Sequence, residues 1–452
     1  MRTLHTMHTF PQTLVLLCLA ALLSNPPAVA CQEEGLRWGG SLSSDLRLGV
    51  GDDFSFADSI FSRKELRLDL HMDANPGKRV HLYAETWLRA WGFPEAVSKL
   101  SQLASIDTLV PLGIELREAY VDIYGFLFDF MDLRVGKQRI VWGTAEKISI
   151  IDNLDPYDLE DPWDFGRHLA SDALKLTCYW DALTLQAVYI PVFRPARIAE
   201  GSPLLDGFPS DYDVHLSFAL PGRDPSENAV LGLRASIRAL GWDISLSYIL
   251  GRDDLPVAAR AVGQLGMPPR IDVDLDYLRE HIVGLDVAGE LLGFGIWGEL
   301  AFFIPEAVTL LTDMSAFPGM AREELETQWY LKGVAGMDYT FSNGIYVNLQ
   351  YARGFPFEHS RNELGNYFLF GFEWRVFNNF VKIGPIGFAF EADDFGRLSD
   401  TWAFVLNPEL SFYPVDNAEI TLGVRWIEGE RGTTLGLEKD SNELYIKGKF
   451  SF

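Results

Sequence analysis

The last nine residues, Leu444-Tyr445-Ile446-Lys447-Gly448-Lys449-Phe450-Ser451-Phe452, decide how the rest of the chain is read. Side chains on an extended strand alternate between two faces. Leu444, Ile446, Phe450 and Phe452 fall on one face, with Gly448 between them; Tyr445, Lys447, Lys449 and Ser451 fall on the other. The same period of two recurs upstream, in Leu66-Arg67-Leu68-Asp69-Leu70-His71-Met72, Val80 to Thr86, Trp402 to Leu406 and Ile420 to Trp426. Soluble sandwiches use strands of about five or six residues. These runs reach about ten to fourteen, the length a tilted strand needs to cross a bilayer.

The connectors fall into two alternating kinds. Short turns are Asn75-Pro76-Gly77, Trp180-Asp181, Leu240-Gly241, Ser342-Asn343-Gly344, Asn378-Asn379 and Pro414 to Asn417. Long, acidic, Pro-rich segments occupy 92–112, 143–169, 194–227, 252–278, 306–325, 355–363 and 430–440. That asymmetry predicts an all-β, transmembrane antiparallel barrel with short periplasmic turns and long extracellular loops. The predicted strands are 36–50, 62–73, 78–91, 113–125, 130–142, 170–180, 182–193, 228–239, 241–251, 279–290, 291–305, 326–341, 344–354, 364–377, 379–391, 399–412, 417–429 and 441–452. They number about 18, with 16 the alternative, and bacterial barrels require an even count. Trp87, Trp91, Tyr124, Trp142, Tyr179, Trp180, Trp242, Tyr339, Trp402, Tyr413 and Trp426 lie mostly near predicted strand ends and read as two interfacial girdles.

Composition agrees. Apolar residues make up 48% of the 452, which suits a folded chain. The net charge of -25 argues against nucleic acid as a partner, because phosphate binding needs a basic stripe. Three cysteines exclude a disulfide scaffold. Residues 1–30 read as a secretory signal, with Arg2, the apolar run Leu14 to Leu23 and the cleavage site Ala28-Val29-Ala30; the barrel is assigned to 31–452. Cys31 has two readings, a free cysteine after ordinary cleavage or a lipidated residue of a lipobox, where Ala28 departs from the usual Leu. Cys178 is expected on the apolar face of a strand.

A charge on the lipid face costs about 2–4 kcal/mol at mid-depth, so the charged alternate positions belong to the lumen. Arg67, Arg89, Arg134 and Arg425 are the candidate pore-lining bases. A barrel this wide is not filled by wall side chains alone, so water or an inserted loop must occupy it. Segment 143–169 is the third long loop, and it carries Ile148, Ile150, Ile151, Leu154, Leu159 and Trp163. Such apolar content fits a loop packed against the inner wall. Its Asp152, Asp155, Asp158, Glu160, Asp161 and Asp164 are the candidate pore constriction, expected to set a negative field. The same acids lack an EF-hand spacing, so no metal and no cofactor is assigned.

Two resemblances follow. The chain end resembles the terminal strand that outer-membrane insertion machinery reads, with Phe452 as the last residue. Gly136-Lys137-Gln138, then Trp142-Gly143, then Asp152-Asn153-Leu154-Asp155-Pro156-Tyr157-Asp158 resembles a pattern of porin-like and alginate-export-like outer-membrane families, with Asp155 where Asn is commoner. In general porins the third loop folds inward. The resemblance implies a channel in the outer membrane, surrounded by lipid and lipopolysaccharide and assembled as a homotrimer in some members. About five residues lie between the expected cleavage site and the first strand, which argues against a plugged transporter.

The function expected is passive or substrate-biased diffusion of small hydrophilic solutes with cation bias, and no catalysis. The alternatives are a partner-dependent barrel, acting as a sleeve or receptor through loops 194–227 and 252–278, and an outer-membrane hydrolase built around His168, Ser171 and Asp172. Within loop 252–278, Val257 to Val262 reads as a short helix.

Overall fold

The computed structural model describes residues 35–51, 60–93, 111–146, 148–164, 166–198, 212–356, 358–361 and 363–452. The expected signal segment 1–30, Cys31 and parts of loops 92–112 and 194–227 lie outside the described residues. Eighteen antiparallel strands close into one barrel. In chain order they are β1 (Leu36–Gly49), β2 (Ile60–Gly77), β3 (Val80–Trp91), β4 (Leu112–Ile123), β5 (Met131–Gln138), β6 (Ser171–Trp180), β7 (Leu183–Ile190), β8 (Val230–Ala239), β9 (Trp242–Arg252), β10 (Arg279–Leu291), β11 (Phe294–Pro305), β12 (Tyr330–Thr340), β13 (Ile345–Arg353), β14 (Asn366–Val376), β15 (Val381–Ala392), β16 (Trp402–Val415), β17 (Ala418–Gly429) and β18 (Glu443–Ser451).

Each strand pairs with its neighbours in sequence, and β18 pairs with β1. Closure is fixed by register: Leu42 faces Phe450, Leu46 faces Ile446, and Gly40 and Phe452 exchange both backbone bonds at 3.0 Å. No sheet edge is left at the seam. The outward positions are apolar and exposed, Leu66, Ile114, Leu233, Leu246, Leu300, Leu349, Leu422 and Ile446 among them.

At one end the strands join through tight turns. Leu240-Gly241 and Leu292-Gly293 repeat one conformation, with φ of 55° and 84° and of 56° and 85°. Both central residues then sit in the left-handed region, the turn whose twist matches a hairpin; the second position takes glycine for that reason. The long connections all leave the other end. Three of them build a second sheet of five short strands, ordered Asp213–Phe218, Arg270–Asp276, Val257–Gln264, Thr309–Asp313 and Arg322–Glu326. The expected helix at 257–262 is therefore a strand. Val257 and Val262 favour extended backbone, and the stretch pairs antiparallel with 270–276.

Two further expectations are corrected. Strand β5 ends at Gln138 rather than at 142, because residues from Arg139 onward leave the wall and turn into the lumen. Trp87 and Trp142 are not girdle residues: both are buried inside the barrel. Trp180 and Trp426 are exposed on the outward-facing set of their strands, whereas Tyr124 and Tyr179, also exposed, follow the lumen-facing alternation of Asp122 and Thr177. Cys178 shares the alternate set of Leu174 and Leu176 on β6 and is a free thiol.

Candidate functional site

The lumen is occupied by the segment 139–170. Its departure from β5 is built into the sequence. Gly136 has φ of 128°, and a Cβ there would lie 2.3 Å from the Ala119 carbonyl oxygen. Gln138 is fully buried and donates from Nε2 to the Ala173 carbonyl at 3.0 Å. Beyond it, the Ile140 N–H donates to Asp155 at 2.5 Å and the Trp142 N–H to Asp152 at 3.3 Å. The run Ile140-Val141-Trp142 resembles more strand, but its amides are claimed by two aspartates of its own loop.

Inside, the segment has two unlike sides. One packs on the wall from β6 to β13 through Ile140, Trp142, Ile148, Ile150, Ile151 and Leu154, all within one buried cluster. The wall makes room with small residues. A Cβ on Gly232 would lie 2.8 Å from the Trp142 ring, and one on Gly284 would lie 3.1 Å from Ile151. Fully buried side chains of this kind each contribute about 1.5–3 kcal/mol. Polar anchors reinforce the apolar ones. The Glu299 carboxylate of β11 accepts from the N–H groups of Thr144 at 2.6 Å, Ala145 at 2.8 Å and Ile150 at 2.9 Å, and from the Ser149 hydroxyl at 3.0 Å. On β13, Gln350 donates to the Ile148 carbonyl at 2.9 Å and Asn348 donates to Glu146 at 2.7 Å.

The other side presents the acids to arginines on β1 to β4. Asp161 takes Arg47 of β1, with one contact at 3.1 Å. Glu160 takes Arg89 of β3, with one contact at 2.9 Å, and lies 3.5 Å from Arg63 of β2. Asp158 lies 3.2 Å from Arg117 of β4, 3.1 Å from Arg167 and 2.7 Å from Arg197. Asp152 and Asp155 share Arg139, the latter at 3.0 Å. Asp164 is the exception, 59% exposed and 3.6 Å from Arg167. β1 and β11 stand on opposite sides of the ring, so one loop is tethered to facing walls.

Burial and pairing pull these carboxyls apart. Burial alone would raise Asp158 and Asp161, but the adjacent arginines win and hold both below the usual carboxylate range. At Asp155 burial wins over Arg139, and its carboxyl is pushed up to about 6.

Of the four bases read from the sequence, Arg89 meets the inner segment directly. Arg425 pairs with Glu443 at 2.5 Å and lies over the Trp163 ring. Arg67 stacks on Trp87 at 4.1 Å, with Glu65 3.9 Å away. Arg134 pairs with Asp122 at 2.6 Å and lies over Tyr120 of β4. Sequence reading missed Arg47, Arg63, Arg117, Arg139, Arg167 and Arg197. The alternation that selects Arg67 also selects Arg63, four residues earlier; Arg139, Arg167 and Arg197 lie in loops, where alternation gives no signal.

Cavities remain beside the segment, and two of them are large. One, of about 320 Å3, lies between Asp161, Trp163, Asp164 and Arg167 of the segment and the wall of β1, β2 and β16 to β18. The other, of about 260 Å3, is lined by Arg139, Trp142, Asp152, Tyr157, His168 and Phe355 among others. The cluster around His168 is held internally: Nδ1 donates to the Asp155 carbonyl at 2.6 Å, and the ring lies 4.3 Å from that of Tyr157. Burial keeps this imidazole below its ordinary pKa, so it is neutral at pH 7. Toward the long-loop end, the Tyr157 N–H donates to Asp254 at 2.5 Å, and burial together with neighbouring Asp253 pushes the Asp254 carboxyl up to about 8.

The closed antiparallel sheet leaves no free edge strand among the described residues, and its outward positions are predominantly apolar around a charged lumen. Only a bilayer suits that surface. The chain is an outer-membrane β-barrel. No family model and no curated protein matches its sequence. Among solved structures, the barrel is similar to OccAB3 of Acinetobacter baumannii, at 10% identity and a TM-score of 0.48, covering 92% of this chain and 99% of that one. Pseudomonas aeruginosa OpdK with vanillate matches at 10% identity and 0.47, covering 92% and 98%. Salmonella typhi OmpF in complex with daunomycin matches at 9% identity and 0.42, covering 92% and 97%.

Proposed function

We propose that this barrel is a diffusion channel for small hydrophilic solutes, narrowed by the inner segment 139–170. The observation that carries the reading is the double tether of that segment, to Glu299 and Gln350 on one wall and to Arg47 and Arg89 on the other, with a polar cavity left beside it. Asp152, Asp155, Asp158, Glu160, Asp161 and Asp164 are the proposed constriction residues, and Arg67, Arg89 and Arg425 are the proposed bases opposite them. Arg134, farther down the wall, is the proposed base nearer the short-turn end.

Cation bias was expected from free acids on this loop. Five of the six are buried against arginine, so they screen the wall rather than face the passage. The sign of selectivity then falls to lumen charges that are weakly compensated, Arg67 and Lys449 among them. The test is single-channel conductance in a planar bilayer, with reversal potential under a salt gradient. Discrete steps support a channel. Silence from a folded, heat-modifiable barrel overturns it and favours the partner-dependent reading, for which the exposed Leu216, Phe218 and Leu325 of the outer sheet are the contact candidates. The proposed assembly is a homotrimer embedded in lipid and lipopolysaccharide, inserted through recognition of the strand ending in Phe452.

A further inference from the structure

We propose that the 320 Å3 cavity contains a subsite for a small oxyanion, a carboxylate or a phosphate, formed by Arg67, Ser43 and Lys449. The inference rests on the channel reading above for its purpose, but not for its geometry.

Register brings the three residues together. Ser43 of β1 is paired with Arg67 of β2 on one side and with Lys449 of β18 on the other. All three line the cavity. In a ladder the strands lie about 4.8 Å apart, so Arg67 and Lys449 stand on the two strands that flank Ser43, along one wall of the cavity. The hydroxyl between them supplies a third donor.

The charges lining the cavity do not cancel. Seven bases face five acids: Arg47, Arg63, Arg67, Arg167, Arg425, Lys447 and Lys449 against Asp45, Glu65, Asp161, Asp164 and Glu409. Every one of those acids has a cation within 4 Å. Asp45 and Asp161 have Arg47, Glu65 has Arg63 and Arg89, Asp164 has Arg167, and Glu409 has Lys447. The converse fails at two places. Lys449 is exposed to the lumen and has no carboxylate within ion-pair distance among the described residues. Arg67 has only Glu65, at 3.9 Å, and that carboxylate already receives Arg63 at 2.7 Å and Arg89 at 2.9 Å. Arg67 Nε has no hydrogen-bond acceptor. Two acids lie close enough to compete. Glu419, next to Lys449 in the ladder, accepts from Tyr413 at 2.8 Å and lies 3.5 Å from Lys382. Asp69, two residues beyond Arg67 on the same face, does not line the cavity.

An arginine held flat on Trp87 keeps its fork in one orientation. That suits the two oxygens of a carboxylate or phosphate, which a guanidinium binds bidentately, better than a single chloride ion.

The experiment titrates the refolded full-length protein in detergent with sodium acetate, sodium malonate, inorganic phosphate and sodium chloride at fixed ionic strength, reading heat by calorimetry. Arg67→Gln/Lys449→Gln is compared with wild type, with Arg238→Gln, an exposed residue near the end of β8, as control. Heat-modifiable migration confirms folding of each. The expected result is saturable oxyanion binding, weakened at least tenfold in the double variant and retained in the control. Response to the carboxylates alone identifies a carboxylate site, and response to phosphate alone a phosphate site. Equal response to chloride, or binding unchanged in the folded double variant, overturns the subsite. If the double variant does not fold, Lys449→Gln, at an exposed position, replaces it: the subsite requires weaker oxyanion binding with one cationic head left, and unchanged binding overturns it. Conductance without oxyanion binding leaves the channel standing and removes the subsite. Binding without conductance does the reverse.

Discussion

Replacing Glu299 tests how the inner segment is held. This carboxylate is 2% exposed and accepts from three backbone amides and one hydroxyl of residues 144–150. Glu299→Ala leaves three N–H groups without their acceptor. A buried donor left unsatisfied costs about 1–3 kcal/mol, and the three are not independent. A loss of roughly 3 kcal/mol from the tether is therefore expected, which raises local opening of 143–150 by about 100-fold. The barrel as a whole should hardly notice, because its ladder does not run through this contact. The apolar anchors Ile148, Ile150, Ile151 and Leu154 keep the rest of the segment docked. Glu299→Gln, with one acceptor oxygen and a clashing amide, should fall between. The assay is limited proteolysis of the folded barrel with mass-spectrometric mapping, beside single-channel recording. Faster cleavage within 143–150 and flicker to a higher conductance level are expected. Cleavage and current both indistinguishable from wild type would refute the tether.

Arg89→Ala removes one partner of buried Glu160 and Glu65. Breaking a buried pair costs about 3–5 kcal/mol, and the low end is expected because Arg63, Arg167 and Arg197 also reach Glu160. The temperature of heat modification should fall and the reversal potential should move toward cations; a move toward anions would sink the idea. Asp254, raised from 3.8 to about 8, binds its proton more tightly in the folded state. The folded state then holds more protons between about pH 4 and 8, so stability around Asp254 falls as pH rises through that window, because ionisation leaves a charge buried beside Asp253 and this outweighs the better acceptor it offers the Tyr157 N–H. Hydrogen exchange at the Tyr157 amide should quicken with pH beyond its intrinsic dependence, and Asp254→Asn should abolish the excess; an unchanged excess would count against the assignment. Deleting Phe452 removes the two bonds to Gly40 and the terminal apolar residue. The folded fraction in outer membranes should drop, and normal levels would mean that Phe452 is not read during insertion.

The barrel was legible because a two-residue period survives folding unchanged: lipid outside and charge inside leave little freedom at each position. The expected strand ranges and the observed ones agree to within a few residues at most ends. The failures share a cause, which is tertiary context. Ile140-Val141-Trp142 has strand composition, yet Asp152 and Asp155 draw it inward from ten and fifteen residues away. Trp87 and Trp142 sit near strand ends, like girdle residues, but point into the lumen. Val257 to Val262 reads as a helix through its alanines, and becomes a strand because 270–276 pairs with it. At the candidate site, the loop acids were found by composition. Their partners were not, since a sequence does not say which arginine on four strands meets which carboxylate. The glycines that admit Trp142 and Ile151 gave a readable signal: Gly232 and Gly284 stand on lumen-facing positions of β8 and β10.

The central claim is that segment 139–170 narrows the lumen. Replacing residues 144–166 by a short Gly-Ser linker and comparing single-channel conductance with wild type tests it most directly. The account predicts discrete wild-type steps and clearly larger steps in the replaced barrel. Equal conductance from two folded barrels would contradict it.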